Sequence, residues 1–184
     1  PEAGRLKLAR RDRSRCLGIV TEDSGRQLYP TAMPSPSPAL REKIGQLLLL
    51  GFRGAKPAEC GLIVRDIRVE STCEHHLAPI IGSAWVGYIP DGKVVGLSKF
   101  ARLVDVFARR LQVQERLTNQ VANAIDEALS PKGVGVVMRC THFCMCSRGV
   151  NKQGSTTTTS ALRGAIREKP EARAEFMGLV LSGR

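Results

Sequence analysis

Two consecutive amphipathic helices, with strand-like segments on both sides, constrain the fold of this sequence most strongly. After Ser98, which we interpret as an N-cap, apolar residues recur at helical spacing and predict one buried helix face. A second helix is predicted over Gln114–Leu129, because its apolar positions also recur at helical spacing and Ser130-Pro131 ends it. The apolar positions of the two helices are Phe100, Leu103, Val104, Phe107 and Leu111, then Leu117, Val121, Ile125 and Ala128.

The segments around the helix pair are typical of β-strands. Residues 62–70 and 81–89 precede it, residues 93–97 are expected to extend the sheet, and residues 134–138 and 156–159 follow it. A short helix over residues 171–181 is predicted after Pro170. The order ββααββ predicts an α+β fold, an antiparallel sheet that carries helices on one face.

The first sixty residues differ in composition from the rest. Residues 5–15 hold six basic side chains and one acid, and residues 30–38 (PTAMPSPSP) are typical of a linker. A short helix is predicted over residues 40–50, ended by Gly51 and Gly54. We therefore divide the chain into an atypical, partly flexible segment, 1–60, and a second domain, 61–184, that holds the helix pair and the strands around it.

Composition excludes several classes of protein. No stretch reaches the ~20 apolar residues of a membrane span, and the basic start lacks the apolar segment of a secretory signal, so a cytoplasmic protein is expected, with organelle targeting as an alternative. Six cysteines are too few for a disulfide scaffold.

The net charge of +11 suggests a polyanionic partner. Aromatic residues are only 4%, and no RNA- or DNA-binding module is found, so nucleic acid is a poor candidate for that partner.

All three histidines lie in two short clusters with cysteine, residues 73–76 (CEHH) and 142–146 (HFCMC). Cys73 and His76 can reach one metal ion, and their mixture of nitrogen and sulfur favours Zn²⁺. Either Cys144 or Cys146 could supply a third ligand. Three protein ligands would leave a position for water, as in catalytic zinc sites.

Other interpretations of the clusters stay open at this point. A structural zinc site would take Cys146 or Cys140 as a fourth ligand, and isolated cysteines are usually inert core residues. If His76 binds metal, His75 and His142 are available as proton carriers near neutral pH. Ligands together with proton carriers indicate hydrolytic chemistry.

Several longer motifs resemble the GTP cyclohydrolase I family. They are residues 73–77 (CEHHL), 96–99 (GLSK), 109–118 (RRLQVQERLT), 141–145 (THFCM) and 148–150 (RGV). The resemblance runs from about residue 62 to 181 and implies the tunnelling fold of that family, in a toroidal homodecamer of two pentamers. It also implies a zinc enzyme that converts GTP and water to 7,8-dihydroneopterin triphosphate and formate, the first step of folate and pterin biosynthesis.

The resemblance also implies roles for individual residues. Cys73, His76 and Cys144 would bind Zn²⁺, while His75 and His142 would carry protons. Glu115, with Gln114 beside it, would hold the guanine edge. Residues with donor groups would contact the triphosphate or ribose, in a site between subunits: Ser98, Lys99, Arg102 and Arg148.

The N-terminal segment departs from the family pattern. Family members normally have a basic Thr-Pro-x-Arg segment in an N-terminal helical region, and none is found before Leu62. This motivates an alternative hypothesis, a catalytically impaired paralogue that acts as a binding or regulatory subunit. Cys146, a second thiol beside the proposed metal ligands, is expected to be a site of oxidation.

Overall fold

The computed structural model describes residues 37–49 and 61–182. The strands are β1 (Leu62–Cys73), β2 (Pro79–Ile89), β3 (Leu111–Gln112), β4 (Gly133–His142) and β5 (Thr157–Arg163). The helices are α1 (Pro38–Leu49), α2 (Ser98–Ala108), α3 (Gln114–Leu129), α4 (Phe143–Cys146), α5 (Gly164–Glu168) and α6 (Pro170–Leu181).

The strands form one sheet in the order β3-β1-β2-β4-β5. β1, β2, β4 and β5 pair antiparallel, and only the two-residue β3 runs parallel to its neighbour, β1. β2, the second strand of the first pair, lies beside β4, the first strand of the second pair, so the start of β2 is next to the end of β4. The α+β class and its ββααββ order are confirmed.

The main core lies between the sheet and helices α2 and α3. Phe100, Leu103 and Val104 from α2 are fully buried, as are Leu117 and Val121 from α3. This follows from the helical spacing of their apolar residues, which places one side of each helix against the sheet. Ile44 of α1 joins the same core.

A smaller apolar cluster lies on the other face of the sheet, where α6 packs. Phe176 contacts the sheet at Gly87 and Gly135, and a Cβ atom at Gly135 would lie 2.6 Å from its ring. Because strand side chains alternate between faces, Val137 and Trp85 join this cluster while their strand neighbours join the main core. Glycine at position 135 is therefore what lets the helix approach.

Three local predictions around α2 were wrong. Ser98 is the first helical residue, with Leu97 at the cap position and no side-chain capping bond. Leu111 lies beyond the end of α2, in β3, and is half exposed. Residues 93–97 form no strand; Val95 packs in the core, and its N–H donates to the Tyr88 hydroxyl at 3.1 Å instead of to a strand neighbour.

Two N-terminal predictions fall outside the described residues. These are the basic segment 5–15 and, apart from its last two residues, the Pro/Ser-rich segment 30–38. The helix predicted over 40–50 corresponds to α1, and the glycines expected to end it also lie outside. Among the described helices, none has the length and apolar character to cross a membrane.

Candidate metal centre

Cys73, His76 and Cys144 meet at one edge of the sheet. Cys73 is the last residue of β1, His76 lies in the turn that leads to β2, and Cys144 lies on the one-turn helix that follows β4. The turn is closed by two backbone bonds, from Cys73 N–H to Ala78 O at 2.8 Å and from Leu77 N–H to Cys73 O at 2.9 Å. The sheet topology therefore joins two motifs that are about 70 residues apart.

The donor atoms of these three residues fit a zinc ion. All lie within 4.8 Å of one another, and Cys73 Sγ is 3.5 Å from His76 Nδ1. Tetrahedral zinc with ordinary Zn–S and Zn–N bonds would separate a sulfur from a nitrogen by about 3.6 Å. Cys73 is buried while His76 is exposed, so the site opens to solvent on one side.

The other two candidate cysteines lie outside this cluster. Cys146 Sγ contacts the backbone oxygen of Lys152 at 3.5 Å. Cys140 is buried in the main core, and burial raises the pKa of its thiol to about 12. Burial also raises the pKa of Cys144, and the neighbouring Cys73 adds to this effect. The sequence left Cys144 and Cys146 open as the third ligand. Because Cys144 lies with Cys73 and His76 and Cys146 does not, the structure favours Cys144.

A partly buried polar network holds the turn that carries His76. Arg116 on α3 forms an ion pair with Glu74, and its Nε donates to Gln112 Oε1 at 2.9 Å. Gln112 is fully buried, and its backbone oxygen accepts the Glu74 N–H at 2.9 Å. The hydrogen bond from Arg116 lowers the pKa of Glu74, so this carboxylate stays charged at neutral pH. The segment after Cys73 is thus tied to α3 and β3.

His142, the last residue of β4, contacts a buried glutamine. Its Nε2 is 2.7 Å from Gln114 Oε1, at the start of α3. Burial lowers the pKa of His142, and the charge of Glu115 opposes that shift. His142 is therefore expected to be neutral at physiological pH, the state in which an imidazole can accept a proton.

Two further predicted residues lie beside the metal cluster. The His75 ring stands edge-on to the ring of His76, with their centroids 6.2 Å apart. Arg148 Nη2 donates to the backbone oxygen of His76 at 2.9 Å. A second imidazole and a guanidinium thus adjoin the His76 side of the cluster.

The α2 candidates are separate from this group. Ser98, Lys99 and Arg102 occupy the first two turns of α2. Within residues 37–49 and 61–182, no hydrogen bond or ion pair joins their side chains to the metal cluster. One chain therefore brings Cys73, His76 and Cys144 together with His75 and Arg148, and within the described residues it shows no bond from this group to the α2 donors.

Sequence analysis missed the residues that hold the site in place. Gln112 and Arg116 were assigned no role in the site. The signal available was the pair of glutamines that flank Val113 next to an apolar helix, since a buried amide needs partners. Nothing in the sequence identifies those partners.

Comparison with known proteins places these observations in a family. The sequence model for GTP cyclohydrolase I matches residues 49–181. GTP cyclohydrolase 1 of Deinococcus radiodurans is 48% identical over 171 residues, 89% of this chain and 79% of that protein. GTP cyclohydrolase 1 of Thermobifida fusca is 59% identical over 125 residues, 67% of this chain and 60% of that protein.

One solved structure gives a more distant match. The crystal structure of the archaeosine synthase QueF-Like in the apo form aligns with a TM-score of 0.49 at 22% identity, over 59% of this chain and 97% of that one. This chain matches 79% of the length of the Deinococcus radiodurans protein and 60% of the length of the Thermobifida fusca protein. With a family match across most of its length and the metal and histidine motifs inside it, the chain belongs to the GTP cyclohydrolase I family.

Proposed function

We propose that this chain is a zinc-dependent GTP cyclohydrolase I, which converts GTP and water to 7,8-dihydroneopterin triphosphate and formate. The observation that carries the proposal is the convergence of Cys73, His76 and Cys144 within 4.8 Å. The curated relatives named GTP cyclohydrolase 1 support the same reaction. Zinc bound by these residues would supply Lewis-acid activation of water at neutral pH.

The side chains around the cluster suit the proton transfers of such a reaction. His142 is half-buried, with its pKa lowered by burial, and is proposed to accept a proton. His75 is exposed beside His76 and is proposed as the second proton carrier. Glu115 is proposed to hold the guanine edge, because a carboxylate accepts hydrogen bonds from guanine N–H groups.

The basic residues suit a triphosphate. Arg148 is exposed and lies next to the metal cluster, and Lys99 and Arg102 lie with Ser98 at the start of α2. Because no hydrogen bond or ion pair among the described residues joins the α2 donors to the cluster, we propose that they serve the site of a neighbouring subunit in a homodecamer. β5 supports such assembly: among the described residues it pairs only with β4, which leaves one strand edge for another chain.

The proposed compartment is the cytoplasm. Cysteine binds zinc as a thiolate, which exists only while the side chain is reduced, and the cytosol keeps cysteines reduced. The four described cysteines are all free thiols.

A pterin assay tests this proposal. The full chain, loaded with zinc and given GTP, should yield a product that fluoresces after oxidation and dephosphorylation, together with an equal amount of formate. Cys144→Ser should abolish turnover and weaken zinc binding. Cys146→Ser is the matched control, since it makes the same change two residues away and should retain activity. Folded, zinc-loaded chain that gives no pterin would show that the protein is not this enzyme, and would favour a catalytically impaired paralogue.

A further inference from the structure

We propose that Gln114 is a positioning residue, which holds His142 in the tautomer that carries its hydrogen on Nε2 and leaves Nδ1 as the proton acceptor. The inference rests on the proposed function for its catalytic meaning, but its structural content stands on hydrogen bonds alone. It also gives Gln114 a role other than contact with the guanine base.

The orientation of the Gln114 amide follows from its surroundings. The side chain is fully buried, and its Nε2 lies 3.2 Å from Met138 O and 3.0 Å from Thr157 O. Carbonyl oxygens only accept hydrogen bonds, so the atom that faces them must be the NH₂ group. The reverse orientation would place three oxygens together in a buried site, at a large cost.

The hydroxyl groups nearby agree with that orientation. Thr118 Oγ1 lies 2.8 Å from the backbone oxygen of Gln114, so its hydrogen is donated there. Thr159 Oγ1, 2.7 Å from Thr118 Oγ1, must then donate to Thr118. Its lone pairs are left to accept from Gln114 Nε2 at 3.1 Å. The donor and the acceptor of each of these three hydrogen bonds are therefore determined.

These directions determine the state of His142. Gln114 Oε1 can only accept, and it lies 2.7 Å from His142 Nε2. Two acceptors at that distance would repel, so Nε2 must carry a hydrogen and donate it. In a neutral imidazole the other nitrogen, Nδ1, is then the acceptor.

The choice of an amide has a chemical consequence. A carboxylate partner would favour the charged imidazolium, whereas the neutral amide fixes the tautomer without adding a full charge. Both hydrogens of the Gln114 NH₂ group are already engaged by buried acceptors, so no donor remains for a nucleobase.

Nitrogen NMR of the ring tests the tautomer directly. The zinc-loaded full chain is labelled with ¹⁵N-histidine and measured at pH ~8.5, well above the ordinary histidine pKa of about 6.5. With only three histidines, subtraction of a His142→Asn spectrum assigns the His142 signals. We expect a single neutral tautomer with hydrogen on Nε2. Hydrogen on Nδ1 of the wild type would overturn the proposal, whatever the variants do.

Gln114→Met and Gln112→Met form a matched pair. Both glutamines are fully buried, and Gln112 bonds to Phe107 O, Gln120 and Arg116 without touching His142. Gln114→Met should mix the His142 tautomers and lower kcat about 10- to 100-fold, with KM within about threefold, because a proton transfer is impaired and not substrate binding. Gln112→Met should leave the His142 signals unchanged.

The two readouts separate this inference from the proposed function. An Nε2–H tautomer that is lost in Gln114→Met supports the positioning role even in a protein that makes no pterin. A large rise in KM with unchanged kcat would instead show that Gln114 contacts the substrate, and would overturn the inference in an active enzyme.

Discussion

Replacement of Arg116 should weaken zinc binding although Arg116 does not touch the metal ligands. Its guanidinium bonds to Glu74, to Gln112 Oε1 and to Leu111 O at 3.2 Å. Through Glu74 it restrains the turn between Cys73 and His76. In Arg116→Met this restraint is lost, so binding zinc must also order the turn.

The size of the effect follows from the exposure of the partners. A hydrogen bond to a charged group contributes about 1.5–3 kcal/mol, and solvent reduces this because the Glu74 side chain is 40% exposed. We therefore expect a loss of about 1.5 kcal/mol, which corresponds to about tenfold weaker zinc binding. This is at the lower end of the 10- to 100-fold typical of residues that orient metal ligands.

Competition with a zinc chelator of known affinity measures this loss. Arg109→Met is the control, since it removes the same charge from an arginine that is 76% exposed and that, among the described residues, pairs only with Asp105, at 3.5 Å. Its zinc affinity should stay within about twofold of the wild type. Equal affinities for Arg116→Met and Arg109→Met would refute the idea that the Arg116 network holds the metal turn.

Three further predictions concern the fold. Gly135→Ala should lower the free energy of unfolding by about 1–3 kcal/mol, because its Cβ would overlap the Phe176 ring. Gly178→Ala, in an open helical position, should raise the free energy of unfolding by about 0.5–1 kcal/mol. Urea denaturation measures both changes, and equal effects would contradict the packing of Phe176 on Gly135. Ile44→Ala should cost about 2–4 kcal/mol in the same assay, and no loss would mean that α1 does not join the core. Because burial raises the pKa of Cys140 to about 12, the stabilisation from its protonated thiol is complete below pH ~9 and is lost as the pH rises towards 12. Wild type measured against Cys140→Ala should therefore lose stability above pH ~9, and a parallel pH dependence of the two proteins would contradict this.

The sequence was sufficient for the parts of the fold that depend on periodicity. α3 has the predicted bounds, Gln114–Leu129, because its apolar face repeats without interruption up to Ser130. The end of α2 was misjudged because Leu111 continues the helical spacing by coincidence, although the chain has already entered β3. Periodicity shows which side of an element is apolar. It does not show where the backbone stops forming helical hydrogen bonds and begins to pair with another strand.

The candidate site divides in the same way. Cys73, His76 and the cluster at residues 142–146 could be identified as candidate metal ligands because of their chemistry and short spacing, whereas the choice of Cys144 over Cys146 came from the family resemblance. The role of Gln114 could not be derived, because a glutamine is equally suited to a substrate, a backbone carbonyl or an imidazole. Only the pairing of β4 with β5, which places Met138 and Thr159 together at its amide, distinguishes these.

The position of the metal ligands in the chain has a consequence for stability. Cys73 ends β1 and Cys144 follows β4, and β2 lies between these two strands in the sheet, so an ion bound to both would act as a cross-link that closes a loop of about 70 residues. If such a link restricts the unfolded chain as a disulfide does, its entropic contribution is about 4 kcal/mol. Loss of the metal would then remove both the reactive centre and a large part of the protein's resistance to unfolding, so that inactive, metal-free chains are also the ones most readily degraded.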